Sequence, residues 1–127
     1  MEKHRLDVVS RASGLVLEIG FGSGLNLPYY NNIIKLYALD PSKELFEFAK
    51  RRIKNISFSV EYIQASAEKI PLTNNSIDSV VSTWTLCSIP TPEIALREIF
   101  RVLKSNGKFI FIEHGKSPKN LTAKIQK

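Results

Sequence analysis

The sequence has little of the chemistry that marks many protein classes. It contains one cysteine, Cys87, so no intramolecular disulfide can form, and this suits a reducing cytoplasm. There are two histidines, His4 and His114, and no Cys/His cluster with metal-ligand spacing, so no metal site is expected. No apolar run is long enough to cross a membrane. The first 13 residues mix Glu2, Lys3, His4, Arg5 and Asp7 and lack the apolar core of a signal peptide. There is no internal repeat and no low-complexity segment.

The 127 residues fit one domain, with 43% hydrophobic and 24% charged residues, an ordinary soluble balance. The net charge of +6 is uneven. Residues 115–127 hold Lys116, Lys119, Lys124 and Lys127 and no acid, so the remainder carries only +2. Lys50, Arg51, Arg52 and Lys54 fall at the end of an expected helix, where cations complement the helix dipole. The basic residues are not interleaved with aromatics, so no nucleic-acid partner is expected. The basic tail leaves room for a weak contact with anionic membrane surfaces.

The informative stretch is residues 15–24, LVLEIGFGSG. An apolar strand, 15–19, runs into a turn with glycines at Gly20, Gly22 and Gly24. Lacking Cβ atoms there, the backbone can bend sharply and a ligand can approach. Such a turn holds nucleotide-bearing ligands at the carboxyl edge of an α/β sheet. The spacing is not the dinucleotide fingerprint, because Leu25 stands where that pattern has its third glycine. Glu18 precedes the turn. Its carboxylate would repel a pyrophosphate and suits a ligand with positive charge, such as the ammonium and sulfonium of S-adenosylmethionine. About 20 residues after the first glycine, Asp40 ends the second strand, where an acid can accept both ribose hydroxyl hydrogens.

The remaining chain alternates strands and helices. Residues 1–13 read as a short, poorly anchored helix. Pro28 permits only a short or irregular helix over 25–30. Strands are expected at 33–39, 57–63, 77–83 and 108–112. The period-2 pattern of 57–63 suits an edge strand, and 64–76 reads as a loop. Ser42 should cap a helix reaching about Lys54, with Leu45, Phe46, Ala49 and Ile53 inward. Thr91-Pro92 opens the clearest helix, with Thr91 expected as N-cap and Pro92 at the first helical position, Ala95, Leu96, Ile99, Val102 and Leu103 on its apolar face, and a stop at Ser105-Asn106-Gly107. This pattern implies a doubly wound, Rossmann-like, mostly parallel sheet.

Further motifs carry a family resemblance. Residues 64–71 read QASAEKIP, residues 75–81 read NSIDSVV and residues 97–108 read REIFRVLKSNGK. In that order and spacing the chain resembles class I S-adenosylmethionine-dependent methyltransferases of the type 11 small-molecule group, over residues 14–115. Thr85-Leu86-Cys87-Ser88-Ile89 and Ile112-Glu113-His114 resemble the methyltransferase-like thiol methyltransferases and their bacterial relatives. The resemblance implies a single domain, 1–127, with a core at 14–115 and a basic tail at 116–127. It implies S-adenosylmethionine as cofactor and a small-molecule acceptor: a thiol, a quinone or phenol, or an amine or phospholipid head group. Gly20, Gly22 and Gly24 would lie under the methionine part, with Glu18 near its ammonium. Asp40 would hold the ribose and Pro41 flank the adenine. Ser66 and Ala67 would line the adenine edge, and Thr83 would close the pocket. Ser66 departs from the family's Asp, which accepts the adenine amino hydrogen with charge assistance. Trp84, Glu113 and His114 would face the acceptor, with His114 able to take a proton. Ser82-Thr83-Trp84-Thr85 lacks the Asp/Asn-Pro-Pro-Tyr signature of base and amide methylation.

The resemblance also implies C-terminal strands beyond 108–112 that this chain lacks. An apolar fifth strand would then be a bare edge, so that either the chain is a truncated protein or another copy covers this edge in a homo-oligomer. A truncated cofactor-binding module without turnover is the alternative function. A nicotinamide-dependent oxidoreductase and an RNA methyltransferase rank behind it.

Overall fold

A computed structural model describes residues 2–83, 89–113 and 119–124. The chain begins with α1 (Glu2–Val9) and β1 (Ser13–Ile19), then a 3-10 turn at Leu27–Tyr29. Next come β2 (Asn32–Leu39), α2 (Lys43–Ile53), β3 (Ser59–Ile63) and β4 (Ile77–Thr83). α3 (Pro92–Val102), β5 (Leu103–Glu113) and β6 (Lys119–Lys124) complete it. One six-stranded sheet has the order β3-β2-β1-β4-β5-β6. All neighbours pair in parallel except β5 and β6. The chain steps outward from β1 through β2 to β3, then returns to the other side of β1 with β4. The strand order reverses at β1, and the crevice beyond such a reversal is where open α/β sheets bind ligands.

Both faces of the sheet are covered, which is why the central strands are continuously apolar rather than alternating. Val16, Leu36, Val81 and Ile110 pack on one face with Val8 and Val9 of α1 and Ala49 of α2. Leu17, Ile19, Val80 and Phe109 pack on the other with Ala95, Ile99 and Val102 of α3. Each fully buried valine, leucine or isoleucine side chain here contributes roughly 1.5–3 kcal/mol. No helix among the described residues is long and apolar enough to cross a membrane.

The structure differs from the sequence expectations at several places. The sheet extends one strand past the five expected. β6 pairs antiparallel with β5, from Lys108↔Lys124 to Glu113↔Lys119. The fifth strand is therefore not a bare edge, and no second copy is needed to cover it. α1 is anchored rather than loose, because Val8 and Val9 are fully buried. The 25–30 segment forms only one 3-10 turn, with Pro28 in its first positions. β5 begins directly at the end of α3. The expected stop survives inside it as an irregularity: Asn106 has φ 66, and the register jumps from Ile77↔Leu103 to Ser79↔Lys108. Ser42 caps α2 by accepting from the Leu45 N–H, as expected, but the Thr91 side chain makes no capping bond. Leu45 and Leu96, assigned inward, are 42% and 43% exposed.

Candidate cofactor site

The glycine turn is pinned to the end of β2. Both the Gly20 and Phe21 N–H groups donate to the Leu39 carbonyl, at 2.9 and 3.1 Å. Gly22 has φ +59, and a Cβ there would meet nothing closer than 3.8 Å, so conformation rather than crowding calls for glycine. Gly24 is different. It has φ +82, and a Cβ would come to 2.9 Å from Leu27 and 3.3 Å from Ala49. Its smallness lets the turn close against α2. Arg52 of α2 adds a hydrogen bond to the Ser23 carbonyl, 3.0 Å.

Asp40 is the hinge between turn, sheet and helix. Its main chain is fixed to β3, donating its N–H to the Ile63 carbonyl and accepting at its carbonyl from the Tyr62 hydroxyl, 2.8 Å. Its carboxylate, nearly buried, accepts from the Gly22 N–H at 3.0 Å and the Ser42 N–H at 2.7 Å. The Tyr62 ring stacks on Phe46 of α2 at 4.1 Å. Burial, and then the Asp40 charge, raise the Tyr62 phenol above its usual value, so it remains a donor.

Glu18 is buried beneath the turn. One carboxylate oxygen accepts from the Tyr30 hydroxyl at 2.6 Å and the other from the Asn26 amide at 3.1 Å. The same amide donates to the Thr83 hydroxyl at 3.0 Å, joining the ends of β1 and β4. Burial first, then the Glu18 charge and hydrogen bond, push the Tyr30 phenol well above its usual value. Tyr30 and Asn26 were not foreseen as site residues. Their roles depend on partners 12, 8 and 57 positions away, which no local pattern reports.

Gly20, Asp40, Pro41, Ser66 and Ala67 line one cavity of about 260 Å3, with Ile19, Leu39, Ile89 and Pro90. Five residues expected around the cofactor thus converge from the ends of β1, β2 and β3. Gly22, Gly24, Glu18 and Thr83 are not among the cavity's lining residues: the two glycines belong to the adjoining turn, and Glu18 and Thr83 are joined through Asn26. The Ser66 hydroxyl already accepts from the Glu68 N–H at 3.0 Å. The segment carrying Ser66 and Ala67 is held by α3. Glu68 accepts from the Thr91 N–H, and Glu98 accepts from the Ile70 N–H. Arg101 donates to the carbonyls of Ile70 and Leu72 and pairs with Glu98 at 2.7 Å. That pairing holds the Glu98 carboxyl below its usual range. Trp84 and His114 lie outside the described residues, and of Glu113 only the backbone, the last residue of β5, is described.

Comparison with known proteins shows the family. Residues 17–111, well over half of the chain, match the family described as "Methyltransferase domain". The chain is 35% identical over 111 residues to thiol S-methyltransferase TMT1B of Rattus norvegicus, covering 85% of this chain and 46% of that one. It is 27% identical over 121 residues to phosphatidylethanolamine N-methyltransferase of Cereibacter sphaeroides, covering 94% and 60%. Among solved structures, the YcgJ protein of Bacillus subtilis superposes with a TM-score of 0.76 at 27% identity, over 90% of this chain and 51% of that one. A SAM-dependent methyltransferase from Aquifex aeolicus gives 0.70 at 27% identity, over 83% and 58%. The chain spans about half the length of the curated relatives it matches.

Proposed function

This chain belongs to the S-adenosylmethionine-dependent methyltransferase domain family, and from that premise we propose that it binds S-adenosylmethionine in the Asp40 cavity and methylates a small-molecule acceptor. The observation that carries this reading is the convergence of Gly20, Asp40, Pro41, Ser66 and Ala67 on one cavity at the strand reversal. The residues present fit the cofactor. The turn exposes backbone where a ligand can approach, and the acid beside it is held in place by two backbone N–H groups.

Bound S-adenosylmethionine supplies a methyl group on a sulfonium sulfur, open to in-line displacement. The protein's part is to hold and orient. Asp40 would accept the ribose hydroxyl hydrogens, and Pro41, Ser66 and Ala67 would flank the adenine. The Ser66 oxygen accepts from the Glu68 N–H with one lone pair, which leaves its second lone pair to accept and its hydrogen to donate at the adenine edge. Glu18, fixed by Tyr30 and Asn26, places negative charge under the turn, which favours the ammonium of the methionine end. Trp84, Glu113 and His114 are assigned to the acceptor side, with His114 taking the proton of a hydroxyl or thiol acceptor. Positioning supplies much of the rate in such a displacement, so a dedicated base is not required.

The acceptor is a thiol, a quinone or phenol, or an amine or phospholipid head group; the names of its relatives carry thiol, ubiquinone/menaquinone and phosphatidylethanolamine. The alternative reading is a cofactor-binding module without turnover. Measuring S-adenosylhomocysteine release with panels of thiols, phenols and amines decides between them. Turnover with one class supports the enzyme; saturable cofactor binding with no release from any panel supports the module.

A further inference from the structure

We infer that the outward face of α2 is a docking surface for an anionic phospholipid bilayer. The inward face of this helix is fully used: Ala49 is buried, and Phe46 packs against Phe21 and Tyr62. Yet the helix carries a second apolar pair that the fold does not bury. Phe48 is 68% exposed and Leu45 is 42% exposed. They stand three residues apart, so they are neighbours on one side of the helix. Arg51 follows Phe48 by three positions and Lys54 caps the end, while Arg52, four positions on, has one guanidinium nitrogen tied to the Ser23 carbonyl. Across residues 43–54 there are five cations and two acids, and one of those acids, Glu47, is paired with Lys50 at 2.6 Å.

Aromatic and aliphatic side chains ringed by lysine and arginine are what an interfacial helix presents to a charged membrane. The apolar groups enter the headgroup boundary and the cations meet lipid phosphates. A second copy of the chain is a poorer occupant. Two side chains fall far short of the roughly 1,200–2,000 Å2 that a stable specific interface buries. A twofold contact would also set Arg51, Arg52 and Lys54 against their own counterparts. The inference stands apart from the cofactor proposal, because none of it depends on what the Asp40 cavity holds.

The test is co-sedimentation of the full chain with phosphatidylcholine vesicles, with and without phosphatidylserine, at low and high salt. The chain should pellet with the anionic vesicles at low salt, stay free with the neutral ones, and be released by salt. Phe48→Ser should weaken this binding about tenfold or more, and Arg51→Glu with Lys54→Glu should abolish it. Neither variant should alter S-adenosylhomocysteine affinity, since these side chains lie outside the cavity; Phe48→Ser should leave the melting temperature near that of wild type, and the double charge reversal should lower it only slightly, by opposing the dipole at the end of α2. Three results would overturn the inference. One is no pelleting with anionic vesicles. Another is pelleting that ignores both variants. The third is a concentration-dependent dimer lost in Phe48→Ser, which would give the face to a second copy.

Discussion

Replacing Asp40 by alanine perturbs the proposed site at its most connected point. Its carboxylate accepts from the Gly22 and Ser42 N–H groups, and in the proposed complex also from two ribose hydroxyls. A hydrogen bond to a charged acceptor is worth about 1.5–3 kcal/mol, so losing the two ligand bonds alone removes about 3–6 kcal/mol. At about 1.4 kcal/mol per factor of ten, affinity for S-adenosylhomocysteine should fall roughly 10^2- to 10^4-fold. Asp40→Asn separates charge from shape. Its oxygen can still accept from Ser42, but its amide then sets a donor against the Gly22 N–H, so an intermediate loss is expected. Calorimetric titration of wild type and both variants reads the effect, with thermal unfolding to confirm that each is folded. A folded Asp40→Ala protein that binds within about threefold of wild type, some 0.7 kcal/mol, would refute the assignment.

Other outcomes follow from the network around the turn. Tyr30→Phe should destabilise the fold by about 1–3 kcal/mol in urea titration, since it strips a buried carboxylate of one donor. Because the folded Tyr30 phenol is held above its usual 10.0, its stabilisation is present below that value and is lost as pH rises beyond it. The phenylalanine variant should lack that alkaline decline. Arg101→Lys should cost about 2–3 kcal/mol, because an ammonium cannot fork to Ile70, Leu72 and Glu98 together. The depressed Glu98 carboxyl contributes stability above its usual 4.5 that fades as pH falls below it, and the lysine variant should blunt this acid leg. Gly24→Ala should destabilise more than Gly22→Ala. Both incur about 1–2 kcal/mol for a positive φ, but only Gly24 adds a clash with Leu27 and Ala49, about 1–3 kcal/mol more. Chemical denaturation of the pair checks the order.

Much of this architecture was legible before the structure because it is written locally. Val16 and Leu17, or Val80 and Val81, face opposite covered sides of the sheet, so strand and burial are visible in one short run. The turn glycines and Asp40 are likewise local, and Gly20 and Asp40 meet at one cavity because parallel strands end on the same side. What was missed depends on distant partners. β6 has the sequence KNLTAK, with one strongly apolar residue, and it is a strand only because β5 offers a free ladder. α1 was read as loose from its charges, although Val8 and Val9 seal one face of the sheet. Glu18 was read as an acid beside the ligand, and nothing near it in sequence announces that Tyr30 and Asn26 hold it below the turn. Thr91 was assigned a cap on residue type, whereas its N–H is taken by Glu68 from the neighbouring loop.

The most direct test of the central claim is amide hydrogen exchange of the whole chain with and without saturating S-adenosylhomocysteine, with NAD as control. The account predicts slowed exchange at residues 19–24, 39–42 and 65–68 with the first ligand and no change with NAD. Protection confined to other segments, or the same protection produced by NAD, would contradict it.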